Sequence, residues 1–257
     1  DEAHIILDLT HGIYNYDGKV LWSQVRVEND TLVTGYRITS GWARTNYLYF
    51  AMVFSKPIEN YGSKNEEELV YKGFWRKFDQ ENNFPEMGGR KLKTYFDFST
   101  QKGEKIKIKF AISAVSTEGA LKNLRAELPH FDFDKVKADA KTKWQNELER
   151  ITIDAPTEKK VTFYTSLYHT AINPVQYMDV DGQYRGIDHN IHKADGFVNY
   201  SVFSLWDTYR ALHPLFTLIQ PERTSDMINS MLAHYDQSVH KLLPVWSHFG
   251  NENWCMI

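Results

Sequence analysis

An almost unbroken apolar run occupies residues 47–54, Tyr-Leu-Tyr-Phe-Ala-Met-Val-Phe, and is closed by Lys56-Pro57. Such a run is typical of a strand buried in a protein core. Segments with alternating polar and apolar residues flank it, at residues 4–9, 20–27, 32–38, 92–98 and 106–112. The pattern predicts an antiparallel β-sandwich over residues 1–116, with a long loop or an irregular hairpin from residue 63 to residue 89.

Helical spacing replaces this alternation from Thr117 onwards. Thr117 is predicted to cap a short helix, and Asp134 is predicted to cap a longer one. The longer helix has one apolar stripe of residues spaced four apart, namely Val136, Ala140, Trp144 and Leu148. We interpret residues 117–153 as a helical linker between domains. The later helices are predicted at residues 159–172, 204–213, 215–219 and 221–237, with an interruption at Pro214. Residues 154–257 are therefore expected to form a helical toroid or bundle.

Composition excludes several functional classes. The 257 residues carry a formal net charge of -3, so a basic nucleic-acid surface is not expected. No apolar run approaches the roughly 18 residues that a membrane span requires. The single cysteine, Cys255, allows neither an intrachain disulfide nor a cysteine-rich zinc site. Because the sequence starts at Asp1 and ends on an apolar segment, we expect the protein to extend beyond both ends, with a signal peptide removed or omitted.

Two polar motifs are weak candidates for metal binding. Residues 179–182, Asp-Val-Asp-Gly, resemble the start of a calcium loop, but the glycine and the terminal acidic residue are out of place. We therefore interpret this segment as the turn of a small hairpin over residues 177–185. His189 and His192 lie three residues apart between glycines, and this spacing is more typical of a loop than of a metal site. The sequence also contains no phosphate loop, no dinucleotide fingerprint and no nucleophile elbow.

The segment from 200 to 211 is the most informative for function. It places Trp206 beside Asp207, with Arg210 three residues later. A tryptophan can stack on the C–H face of a sugar ring, while a carboxylate and a guanidinium bind its hydroxyl groups through directed hydrogen bonds. The same residues could instead form a buried Asp207–Arg210 pair beside a core tryptophan, and the residues alone leave both interpretations open.

A family resemblance is carried by long motifs. Residues 200–214, Tyr-Ser-x-Phe-Ser-Leu-Trp-Asp-Thr-Tyr-Arg-Ala-x-His-Pro, resemble a signature of glycoside hydrolase family 92, the calcium-dependent exo-α-mannosidases. Other stretches that are similar to the family lie at residues 35–43, 54–57, 112–117, 164–170, 181–188 and 243–257. The segment at 181–188 has one extra residue before Asp188 compared with the family pattern.

The resemblance implies an architecture and a reaction. The expected fold is multidomain β plus α: an N-terminal antiparallel β-sandwich, a helical linker and the beginning of an (α/α)6 toroid. The expected activity is that of a glycoside hydrolase that releases terminal α-linked mannose from glycans with inversion. Calcium is the implied cofactor, and mannose-containing glycans are the implied partners. A periplasmic or secreted location is also expected from the family.

The resemblance also implies roles for individual residues. Trp206 and Asp207 fall where the family lines its mannose subsite, and Glu252 is a weaker candidate for the same pocket. Arg210 is expected to bind sugar or, as we favour, to orient Asp207. The catalytic acid, the base and the calcium ligands match no position in this sequence, so the 257 residues alone are expected to be inactive. The alternatives are a non-catalytic carbohydrate-binding or scaffold protein and another inverting (α/α)6 glycosidase.

Overall fold

The computed structural model describes residues 2–67 and 82–253. The chain divides into two compact units, Asp1–Phe131 and Asp132–Ile257. The boundary between them lies within the segment that the sequence assigned to a linker. Within the described ranges, no helix is both long enough and apolar enough to cross a bilayer.

Antiparallel strands make up most of the first unit. A five-stranded sheet has the order β6-β2-β3-β4-β8, and a three-stranded sheet has the order β1-β7-β5. The strands are β1 Glu2–Asp8, β2 Val20–Val27, β3 Leu32–Thr39, β4 Asn46–Phe54, β5 Asn60–Asn65, β6 Glu86–Gly89, β7 Leu92–Ser99 and β8 Ile108–Ser113. The expected loop or hairpin at residues 63–89 therefore contains the end of β5 and all of β6, and its middle lies outside the described residues.

The core of this unit lies between the two sheets. β7 alternates strictly, with Leu92, Thr94, Phe96 and Phe98 buried and the intervening residues less buried. From β4, the ring of Phe54 packs against those of Phe96 and Phe98, with centroid distances of 5.3 and 5.1 Å. Alternating strands that bury one face against a second sheet form a sandwich. The predicted β-sandwich is therefore confirmed.

A short helix, α1 Thr117–Glu127, covers the other face of the five-stranded sheet. Its Ala120 and Leu124 pack with Ala51 of β4 in a second apolar cluster. The helix is capped by Ser116, whose side chain accepts a hydrogen bond from the backbone N–H of Gly119. The predicted cap at Thr117 is therefore wrong by one residue. In the described part of the chain no helix precedes α1.

Helices are the main regular structure of the second unit. They are α2 Phe133–Leu148, α3 Thr157–Thr170, α4 Leu205–Thr208, α5 Leu212–Ile219 and α6 Pro221–Gln237. Asp132, not Asp134, caps α2, where its side chain accepts from the backbone N–H of Lys135. Pro214 does not interrupt a helix. It lies in the first turn of α5, where its missing N–H costs no helical hydrogen bond, and the break falls earlier, at residues 209–211.

Short strands lie between and after these helices along the chain. They are β9 Val175–Gln176, β10 Gln183–Arg185, β11 Ile191–Lys193, β12 Tyr200–Ser201, β13 Phe203–Ser204, β14 Trp246–His248 and β15 Asn251–Asn253. The hairpin predicted for residues 177–185 is wrong, because β10 pairs with β11 instead. The turn itself is present, with the N–H of Gly182 donating to the carbonyl of Asp179. Phe203, Phe216 and Met227 form the buried apolar core of this unit.

Candidate carbohydrate site

A small antiparallel sheet, in the order β13-β14-β15, joins the two segments that the sequence singled out. Ser204 of β13 pairs with Trp246 of β14, and Phe203 pairs with Ser247. Ser247 in turn pairs with Glu252 of β15. Residues some forty positions apart in the sequence are therefore neighbours, and the sheet positions the start of α4 against residues 246–252.

Val202 directs the chain into this sheet. It lies between β12 and β13 with a φ of 64°, which a β-branched residue rarely adopts. Its backbone N–H donates to the carbonyl of Ser247 at 2.9 Å, so the strained turn is held by a hydrogen bond to β14. β12 pairs with β9, whereas β13 pairs with β14. Backbone strain of this kind persists only where the surrounding structure holds the residue in place. At Val202 the chain changes direction, just before Ser204.

The hairpin between β14 and β15 is equally tight. Its two turn residues, Phe249 and Gly250, both have positive φ values, of 45° and 73°. Two consecutive positive φ values are typical of the type I′ hairpin turn. The backbone N–H of Phe249 donates to the Ser201 hydroxyl at 2.9 Å. A Cβ at Gly250 would lie 3.1 Å from the carbonyl oxygen of Gly186, so a larger residue there would crowd a neighbouring turn as well as strain the backbone.

Three polar side chains form a chain of hydrogen bonds at the start of α4. The indole Nε1–H of Trp246 donates to Ser204 Oγ at 2.8 Å. Ser204 Oγ donates to Asp207 Oδ2 at 2.6 Å. The Asp207 side chain is otherwise exposed. The sequence analysis did not identify Ser204, although its position three residues before Asp207, at the start of a helix, is the spacing of a capping box.

Trp206 and Arg210 are both exposed, which agrees with the sugar-binding interpretation and not with a buried pair beside a core tryptophan. The Trp206 side chain is 60% exposed, so it is not a core tryptophan. Arg210 Nε donates to the hydroxyl of Tyr209 at 2.6 Å, and the guanidinium lies 5.2 Å from the centroid of that ring. Tyr209 is 55% exposed. Two aromatic rings, a guanidinium and a carboxylate are therefore exposed within residues 206–210.

The predicted interaction between Asp207 and Arg210 is wrong. Among the described residues these two side chains form neither a hydrogen bond nor an ion pair. The reason is the length of α4, which ends at Thr208. A three-residue spacing brings side chains together only while the helix continues, and Arg210 lies beyond its end. Asp207 is oriented by Ser204 instead, and the buried Asp–Arg pair is not formed.

Glu252 lies on the other face of the small sheet. Residues paired directly across antiparallel strands point to the same face, so Glu252 shares its face with Ser247 and Phe203. Ser204 and Trp246 form the adjacent pair and point to the opposite face. One carboxylate oxygen of Glu252 is buried and has no hydrogen-bond partner among the described residues. Its place in the same pocket as Asp207 stays a prediction, and the sheet register does not support it.

The face of Glu252 packs on α6 through a buried histidine. Ser247 Oγ lies 3.0 Å from His234 Nδ1, and the Phe203 ring meets the His234 ring edge to face, with a centroid distance of 6.0 Å. Burial lowers the pKa of His234 to about 4. The imidazole is therefore neutral at physiological pH and acts as a packed, hydrogen-bonded support for β14.

The described residues do not supply a calcium site. Ca²⁺ takes six to eight oxygen ligands, several of them carboxylates. Within residues 2–67 and 82–253, no group of three or more Asp, Glu, His or Cys side chains is arranged to hold a metal. His192 lies in strand β11 and not in the predicted loop, and its Nε2 is 3.0 Å from Asp188 Oδ1. The side chains of the described residues therefore do not form a donor set that fits calcium.

The fold and this surface define a class of protein: a β-sandwich followed by helices, with an exposed tryptophan and carboxylate at a helix start. Residues 1–113 match the glycosyl hydrolase family 92 N-terminal domain. Residues 119–257 match the glycosyl hydrolase family 92 catalytic domain. The chain therefore belongs to glycosyl hydrolase family 92, and the recognition made from its motifs is confirmed.

Solved structures agree with this assignment. The family GH92 alpha-mannosidase BT3965 from Bacteroides thetaiotaomicron is 44% identical over 100% of this chain, with a TM-score of 0.89. It has also been solved in complex with mannoimidazole. The family GH92 inverting mannosidase BT2199 from the same species is 28% identical over 100% of this chain, with a TM-score of 0.82. The chain spans 34% and 32% of the lengths of these two structures.

A curated relative is more distant. The protein described as an uncharacterized secreted glycosidase from Arthroderma benhamiae is 28% identical over 94 residues. That match covers 34% of this chain and 12% of the relative. This match shows similarity to a glycosidase from a second organism, and the description of that protein names no substrate.

Proposed function

We propose that the protein containing these residues is an exo-acting α-mannosidase that releases terminal α-linked mannose from glycans with inversion. Family membership and the 44% identity to a structure described as an alpha-mannosidase support the class of substrate. The mannoimidazole complex of that neighbour supports a sugar of the mannose type. The observation that carries the proposal is the exposed Asp207 carboxylate, held by Ser204 beside the exposed Trp206.

The role of this chain in that reaction is binding. Asp207 accepts a hydrogen bond from Ser204 on Oδ2, and among the described residues its Oδ1 has no partner. An ionised carboxylate only accepts hydrogen bonds, so Oδ1 is suited to a sugar hydroxyl, which can donate. A charged hydrogen bond of this kind contributes about 1.5–3 kcal/mol. Trp206 offers a flat apolar face for the C–H side of the ring.

The chemical step needs groups that these residues do not provide. An inverting glycosidase uses a general acid on the leaving oxygen and a base that activates water, with roughly 6.5–9.5 Å between the two carboxyl groups. We propose that both carboxylates, and the ligands of a calcium ion that assists sugar binding, belong to residues other than those described. The proposal therefore treats residues 200–210 as part of the mannose subsite and not as its reacting groups.

An exported location is part of the same proposal. A mannosidase that acts on glycans meets its substrates in the periplasm or outside the cell. The printed description of the fungal relative as secreted supports this placement. Cell fractionation of the source organism, with an antibody against residues 1–131, would test it. Recovery of the protein only from the cytoplasmic fraction would contradict it.

The central experiment is an activity assay on the complete protein. We expect release of mannose from α-linked mannobiosides, and loss of that activity when calcium is removed by a chelator and its return when calcium is added back. Turnover that resists the chelator would contradict the calcium proposal alone. Absence of hydrolysis with retained binding of mannosides would favour the carbohydrate-binding alternative. Release of glucose from an α-linked glucobioside, without hydrolysis of the mannobiosides, would favour another inverting glycosidase.

Asp207→Ala in the complete protein tests the binding role. We expect kcat/KM on the mannobiosides to fall at least tenfold, because a charged hydrogen bond of about 1.5–3 kcal/mol is lost. The melting temperature should stay nearly unchanged, since Asp207 is exposed and its one partner among the described residues is Ser204. Asp195→Ala, at another exposed position of the same unit, is the matched control and should retain full activity. Normal activity of Asp207→Ala would overturn the assignment.

A further inference from the structure

Ser204 directly precedes α4, but its hydroxyl does not make the hydrogen bond that is usual for a residue in that position. It is followed three positions later by Asp207, which is the spacing of a capping box. In that motif the serine oxygen accepts a hydrogen bond from a backbone N–H of the first turn. The structure shows no such cap at α4. Instead Ser204 Oγ lies 2.6 Å from Asp207 Oδ2, so the two side chains bond to each other.

Trp246 makes a second hydrogen bond to the same hydroxyl. Its indole Nε1 lies 2.8 Å from Ser204 Oγ. An indole N–H only donates, so the serine oxygen must accept from it. The hydroxyl proton is then free to point at the ionised carboxylate, which only accepts. The chain of donors therefore runs from Trp246 through Ser204 to Asp207 in one fixed sense, and each bond polarises the next.

Ser204 itself is firmly held. It pairs with Trp246 in the small sheet, and its carbonyl accepts from the Thr208 hydroxyl at 2.9 Å. The next pair along, Phe203 and Ser247, is buried. The hydroxyl that meets Asp207 is thus attached to a rigid backbone. Asp207, by contrast, is exposed and has no other hydrogen bond among the described residues.

We infer that Ser204 is the positioning residue of Asp207: it fixes the carboxylate rotamer so that Oδ1 faces the sugar. This inference rests on the proposed function. Without the Ser204 hydroxyl, the Asp207 side chain can change rotamer freely in water. Binding of a sugar hydroxyl then also costs the conformational entropy of ordering this side chain. Trp246 takes part indirectly, because its indole N–H holds the Ser204 hydroxyl in place.

The test uses the complete protein and kinetics on α-linked mannobiosides. Ser204→Ala should lower kcat/KM about tenfold, the scale of one hydrogen bond to a charged group. Ser204→Thr keeps the hydroxyl and should restore most of the activity. Trp246→Phe keeps an aromatic ring, removes the indole donor and should cost about threefold. Ser225→Ala, which removes a hydroxyl bonded only to a carbonyl of its own helix, is the control and should act like the unaltered enzyme.

A double-mutant cycle separates positioning from a structural role. In an Asp207→Ala background, Ser204→Ala should cause no further loss, because the group that it positions is gone. Equal losses in both backgrounds would overturn the inference, as would full activity of Ser204→Ala in an active enzyme. An unaltered protein that hydrolyses no α-mannoside would overturn the proposed function and the inference with it. The two failures are therefore distinguishable.

Discussion

Long strands build the core of residues 1–131, whereas short strands and helices build that of residues 132–257. Among the described residues, the buried side chains of the first unit are mostly apolar. In the second unit, buried polar side chains outnumber the buried apolar ones. Those polar residues are Asp179, Asn199, Ser201, Gln220, Ser230, His234, Ser238, Ser247 and Asn251.

The apolar contacts of the first unit and the polar contacts of the second unit have different roles: the former stabilise the fold, and the latter determine where individual side chains lie. Apolar burial between two sheets is non-directional and stabilises the first unit without defining any one contact. Hydrogen bonds between buried polar groups are directional, so they specify where each side chain points. The second unit has such a bond between Ser247 and His234, on the face of the small sheet that is opposite to Ser204 and Trp246. Predictions that contrast the two units test this division.

The largest effect is expected in the sandwich core. Phe54 is 1% exposed and packs against Phe96 and Phe98. Phe54→Ala should lower the free energy of unfolding of the first unit by about 3–5 kcal/mol, because it removes buried apolar surface and leaves a cavity. Denaturant unfolding measures this loss. Phe133→Ala, at an exposed position of α2, is the control and should change stability by less than about 0.5 kcal/mol.

An intermediate effect is expected from pH in the second unit. The pKa of His234 is about 4 in the folded chain, below its ordinary value of 6.5, because the ring is buried. The unfolded chain therefore binds more protons between these values. Stability is fully present above pH 6.5 and falls as the pH drops to about 4, by about 3 kcal/mol in total.

His234→Gln isolates that contribution. The variant cannot take up the proton, so its unfolding free energy should fall less steeply with decreasing pH than that of the unaltered chain. The comparison uses unfolding midpoints measured at several pH values between 4 and 7. Identical slopes for the two proteins would show that another group controls acid sensitivity, and would weaken the contrast between an apolar and a polar core.

The smallest effect is expected on the outer face of α5. Leu218 is 81% exposed, whereas Phe216 in the same helix is buried. In the 257-residue chain, Leu218→Ala should change the free energy of unfolding by less than about 0.5 kcal/mol. Phe216→Ala should cost about 3–5 kcal/mol, which provides an internal reference. A loss above 1 kcal/mol for Leu218→Ala would show that this leucine is covered in solution, and the contrast between the units would need revision.

Some elements could be predicted from the sequence because local chemistry determines them. Residues 221–237 were expected to form a helix, and α6 has those bounds. Proline at its first position and an apolar stripe three to four residues apart are local signals that need no distant partner. The alternation of residues 92–98 likewise identified the buried side chains of β7. The cap at Ser116 was missed by one residue, since adjacent serine and threonine are both good caps.

The site was only partly predictable, because its geometry depends on where a helix stops. Trp206 and Asp207 were proposed as site residues from their residue types and their motif, and their role in binding sugar stays a prediction. Their spacing from Arg210 predicted a pair, but α4 ends before Arg210 and the pair does not form. The bond that orients Asp207 comes instead from Ser204, whose own orientation is set by Trp246. A contact across forty residues cannot be read from either segment alone.

Periodicity and motifs are local properties of the chain, so the order of β and α units, the family and the residue types of the candidate site could be predicted from them. The faces of the small sheet that these residues occupy depend on strand pairing and became known from the fold alone. The pairing of β13 with β14 placed Ser204 beside Trp246, and the pairing of β14 with β15 placed Glu252 on the opposite face. Side chains alternate along a strand, so a register shift of one residue would have exchanged the faces, and register is fixed by contacts between distant segments.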